Sequence, residues 1–115
     1  MNNFEMNLSV FDRNLQFAVD KLHNKEFEEA YKMIINTICI NPNAPEPHNL
    51  LGLWYEMNGD EQLARKHYRA AYVLDPTYKP ACNNLERIST FFITKAIPYD
   101  FGDIPEKEEL KERGI

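Results

Sequence analysis

Residues 45–78 read PEPHNLLGLWYEMNGDEQLARKHYRAAYVLDPTY, and this stretch decides the fold. Two helical patterns flank Asn58-Gly59-Asp60. Gly59 can adopt the positive φ that a tight interhelical turn requires. Gly52 and Ala64 are small where two antiparallel helices must approach, and Tyr55 and Tyr68 fill the space on either side. Pro76 lacks an N–H and cannot continue the second helix. The stretch is therefore one helix–turn–helix unit closed by a break.

Outward from this unit the pattern repeats. A shift of 34 residues sets Ala30 on Ala64, Lys32 on Lys66, Pro42 on Pro76 and Asn24 on Asn58. The next step sets Asn49 on Asn83 and Leu51 on Leu85. A fixed period of this size predicts stacked units, none able to bury its apolar face alone.

The residues His48, Leu51, Gly52, Tyr55, Gly59, Ala64, Tyr68, Ala71 and Pro76 resemble the tetratricopeptide repeat. Eight of the nine positions agree, and His48 replaces the first aromatic. The resemblance implies an all-α fold, a short right-handed α–α solenoid of about five helices with a C-terminal tail. It covers about Phe11 to Ile88 and says nothing of the tail; the chain is expected to be a single domain, 1–115, with a degenerate repeat over 11–44, a repeat over 45–78, a capping helix over 79–97 and a tail over 98–115. In the degenerate unit Phe17-Ala18 stand for Leu-Gly, Lys21 for Tyr, and Ile34 and Thr37 for the aromatic and second Ala. Lys25 occupies the turn Gly position, so either Asn24 is left-handed or the turn is strained.

Local signals place the elements. Ser9 and Asp12 have capping-box spacing, so the first helix starts near Val10. Its stripe is Phe11, Leu15, Ala18 and Leu22, widened by Val19. The second runs about Glu26–Ile40. The third, about Ala44–Asn58, is expected to be capped by Asn43, and its apolar breadth fits a helix contacted on several sides. Asp60 caps the fourth, ending near Leu74, and Thr77 is expected to cap the fifth. A short polar helix, Glu106–Arg113, follows in the tail.

The sequence bounds function mainly by exclusion. A net charge of −5 argues against a phosphate-binding surface, hence no nucleic acid. No apolar run approaches a membrane span of roughly 20 residues, and Met1–Glu5 lacks the features of a secretion signal. Cys39 and Cys82 lie in apolar helical patterns, and buried reduced thiols there fit a cytoplasmic protein. His23, His48 and His67 have no metal-site spacing, so neither metal nor cofactor is expected. Asp100-Phe101-Gly102 copies three letters of the kinase magnesium motif without its companion motifs. No catalytic constellation can be defended, and an enzyme is not expected.

The resemblance implies a scaffold that binds protein partners. The first helix of each pair would line a concave groove for a peptide or amphipathic helix, through Leu15, Val19 and Leu22, then Asn49, Leu53 and Glu56, then Asn83, Arg87 and Thr90. The positions that clamp acidic chaperone C-termini in this family hold Leu15, Val19, Leu50, Pro80 and Asn84, of which only Asn84 can bond a carboxylate. Asn49 and Asn83, one period apart, either bond a ligand backbone or merely solvate the groove. Phe91, Phe92 and Ile93 form a second apolar cluster. The tail is expected to fold back and bury Phe91 or Phe92 against Tyr99 or Phe101. The alternative is a homodimer or assembly interface built on that fifth-helix surface.

Overall fold

Five helices and no strand occur among the described residues, 8–89 and 97–102 of this computed structural model. They are α1 (Val10–His23), α2 (Phe27–Ile40), α3 (Pro45–Met57), α4 (Glu61–Leu74) and α5 (Lys79–Ser89). The expectations for Thr90, Phe91, Phe92, Ile93 and the 106–113 helix lie outside the described residues.

Chain-local chemistry sets the helix ends. The Asp12 N–H donates to Ser9 Oγ at 3.0 Å and the Leu63 N–H to Asp60 Oδ1 at 3.1 Å, so two of the expected caps form. The other two do not. Ala44, not Asn43, precedes α3 and offers no side-chain bond; Pro45 starts the helix, where its missing N–H costs nothing. Thr77 turns its N–H (3.0 Å) and hydroxyl (2.6 Å) to Asp75 Oδ1, stabilising the α4–α5 turn instead of capping α5. At the first turn the left-handed residue is Lys25, at φ 59, while Asn24 stays at φ −87.

Neighbouring helices pack in chain order, most extensively α1 with α2 and α3 with α4. α3 also touches α1 and α5, whereas α2 and α4 do not meet. The breadth expected of α3 is used accordingly. Trp54 Nε1 donates to the Phe27 carbonyl of α2 at 2.8 Å, and Tyr55 stacks on His67 of α4 at 5.4 Å.

The core runs through Ala18, Leu22, Ala30, Ile34, Leu50, Leu53, Ala64 and Tyr68. Thr37 is buried among them and donates to the Met33 carbonyl at 2.6 Å, which satisfies its hydroxyl within α2. The close approach at Gly52 is made to Tyr68, whose ring carbons lie 2.5 Å from where a Cβ would stand. Cys39 is exposed on α2, against the expectation of a buried thiol, and Cys82 is half-buried; both are free. No described helix is long and apolar enough to cross a membrane.

Candidate functional site

Helices α1, α3 and α5 share a face, and a non-helical segment of the same chain, 97–102, lies against it. Asn49 and Asn84 are both fully buried and hold the main chain of Asp100 there. The Asp100 N–H donates to Asn84 Oδ1 at 2.9 Å. The Asp100 carbonyl accepts from Asn84 Nδ2 at 2.9 Å and from Asn49 Nδ2 at 3.0 Å. A carboxamide offers two donors and an acceptor with two lone pairs. Asn84 uses them all, since its Nδ2 also donates to Asn49 Oδ1 at 2.7 Å and its Oδ1 also accepts from Arg87 Nη1 at 2.7 Å.

Arg87 organises the edge of this seat. Its guanidinium forks onto the Glu56 carboxylate through Nε and Nη2, donates to the Pro98 carbonyl at 2.8 Å and covers the Tyr99 ring at 4.7 Å. The Arg87 and Glu56 side chains are each only 13% exposed. Glu56 also accepts from the Tyr68 hydroxyl at 2.7 Å. Burial, reinforced by that bond to a carboxylate, pushes the Tyr68 hydroxyl far above the usual tyrosine range, so it remains a donor. The chain Tyr68–Glu56–Arg87 thus ties the core to the segment.

The side chains of the segment meet the face one by one. Phe101 joins the buried apolar cluster with its ring 4.1 Å from that of His23, and Tyr99 meets it edge-on at 6.3 Å. The Asp100 carboxylate accepts from Asn83 Nδ2 at 2.9 Å and from the Gly102 N–H at 3.0 Å. Gly102 has φ +87, and an added Cβ would stand 2.5 Å from the Tyr78 hydroxyl.

Of the residues singled out from sequence, Asn49, Glu56, Asn83 and Arg87 converge here. Val19, Leu22 and Leu53 are buried in the core, with Leu15 half-buried beside it. His23, Tyr78 and Asn84 complete the seat and were not among the expected groove residues. Asn84 carried a signal, as the one clamp position able to bond a carboxylate; in the structure it pairs with main chain, leaving the carboxylate to Asn83. His23 and Tyr78 had no signal, because their roles depend on Phe101 and Gly102 arriving from far along the chain.

Among the described residues no group of His, Cys, Asp and Glu is arranged to hold a metal ion. The chain matches no family model, no curated protein and no solved structure.

Proposed function

We propose that the chain is a non-catalytic protein–protein interaction module, a short tetratricopeptide-like solenoid that binds a peptide on the face formed by α1, α3 and α5. The observation that carries this reading is the seating of Asp100, whose main-chain N–H and C=O are both paired with buried side-chain amides. Such pairing suits a non-helical peptide, because a helical ligand has already used those groups internally. The peptide version of the reading is therefore favoured over the amphipathic-helix version. Contact between first helices, without contact between α2 and α4, is consistent with the solenoid. Free cysteines at 39 and 82 fit a cytoplasmic setting.

The test is selection from a random peptide display library, run on the full chain and on its Phe101→Ala variant. Enriched peptides should bind in a manner that Asn49→Ala weakens while helicity by circular dichroism is retained. Enriched peptides indifferent to Asn49→Ala would move the site to another face. Failure to enrich peptides on either chain would overturn the reading.

A further inference from the structure

We infer that this seat selects the signature aromatic–Asp–Phe–Gly, and that segment 97–102 is its occupant in cis, which a partner peptide bearing the signature displaces. The inference rests on the peptide-binding reading above and adds both the ligand's chemistry and its built-in competitor.

Amides that pair only with main chain accept nearly any residue, so selectivity must come from the side-chain contacts. Each falls on a different position. The Asp carboxylate meets Asn83 Nδ2 at 2.9 Å, and Asn83 is exposed. The Phe ring is the one deeply buried anchor, 8% exposed and against His23. The aromatic before Asp lies under the Arg87 guanidinium at 4.7 Å, a cation–π geometry that tyrosine or tryptophan fills. Glycine is called for by φ +87, and a Cβ there would also stand 2.5 Å from the Tyr78 hydroxyl, which would have to shift. Apolar burial of a tail would require the Phe alone; it would not call for a bonded carboxylate or a side-chain-free fourth position.

The occupant is placed to be exchanged. Pro98, Tyr99 and Gly102 are exposed, so the segment is held by one buried ring, the Arg87–Tyr99 contact and a set of hydrogen bonds. A ligand carried on the same chain acts at an effective concentration that a free peptide must compete with. A free peptide then sees only the vacant fraction of seats, and its apparent affinity falls by that fraction.

The experiment uses the full chain and a fluorescein-labelled hexapeptide, Ile-Pro-Tyr-Asp-Phe-Gly, blocked at both ends. In the variant Asp100→Pro with Phe101→Ala, the N–H received by Asn84 and the buried ring are both gone, so the seat is vacated. Anisotropy should show the peptide binding this variant at least about tenfold more tightly than the unaltered chain. The peptide should also raise the variant's Tm and leave that of the unaltered chain unmoved. Tyr99→Ala alters an exposed residue, so it should loosen the occupant and tighten peptide binding with the fold intact. Adding Asn83→Ala to the vacated variant should narrow its preference for Asp over Ala at the peptide's fourth position. A peptide with Pro there should not bind.

Equal affinity for the vacated and unaltered chains would overturn the competition. So would no binding to a vacated or Tyr99→Ala chain that keeps its helicity and cooperative melt. A dimer by light scattering that the hexapeptide dissociates would assign the seat to a second copy's segment and overturn the external partner. Library peptides that need Asn49 but lack the signature would defeat this inference while leaving the peptide-binding reading standing.

Discussion

Glu56 carries more of the polar architecture than its half-buried place on α3 suggests. Its carboxylate takes the Arg87 fork and the Tyr68 hydroxyl at once. Removing one partner of a buried pair leaves the other charge uncompensated, at a cost of about 3–5 kcal/mol. Glu56→Ala should therefore lower stability by about that amount in urea denaturation, and Glu56→Ala combined with Arg87→Met should recover part of it. A loss under ~1 kcal/mol would mean that solvent screens the pair as it does a surface bridge. Gly52 poses the opposite problem, a place where atoms cannot be added. Its missing Cβ would stand 2.5 Å from Tyr68 ring carbons, and that ring is tethered at its hydroxyl by Glu56. Gly52→Ala should thus overpack α3 against α4 and cost about 1–3 kcal/mol, despite the better helix propensity of alanine. An unchanged denaturation midpoint would show that the ring can move aside.

The element scale is where capping and turn chemistry decide most. α1 and α4 begin on a side-chain cap, whereas α3 begins on Pro45 after Ala44. The α1–α2 and α3–α4 turns differ at their left-handed residue, Lys25 in the first and Gly59 in the second. A Cβ in that region costs roughly 1–2 kcal/mol, offset in part by the lower chain entropy of a non-glycine residue when unfolded. Lys25→Gly should therefore stabilise by up to about 1 kcal/mol, visible as a higher Tm, while Asn24→Gly should not, since Asn24 is at φ −87. The reverse ranking would place the strain at Asn24.

Across the whole molecule, one titration connects two helices. His48 of α3 stacks on His67 of α4 at 6.0 Å, and Tyr55 covers the other ring of the pair at 5.4 Å. Burial lowers both imidazoles below the ordinary value of 6.5, with the neighbouring His48 and Lys66 charges also acting on His67. His48 Nδ1 is buried without a hydrogen-bond partner, which suits the neutral ring. Groups with depressed folded values bind protons more readily when unfolded, so stability is full above pH 6.5 and is lost as pH falls from there towards the folded values. The Tm should drop between pH 7 and pH 5, and His48→Gln with His67→Gln should flatten that part of the profile. A profile unchanged by the double substitution would assign the acid sensitivity to carboxylates.

The helices and most of their ends follow from chemistry local to the chain. Period-3.6 apolar stripes, glycine and proline breaks and the Ser9 and Asp60 caps act within a few residues of themselves. Where a bond could go to either of two neighbours, the local pattern misled, since Thr77 pairs with Asp75 instead of capping α5; at the first turn two outcomes stood open, and the strained one holds, with Lys25 left-handed. The repeat set Asn49 beside Asn83, but the structure joins Asn49 to Asn84, one residue out of register. That shift arises because Asp100 brings its own N–H and C=O to the pair from 16 and 51 residues away, and amides orient to whatever backbone reaches them. Folding alone settles this register, since a seat formed by three helices and filled by a fourth part of the chain has no spacing of its own along the chain.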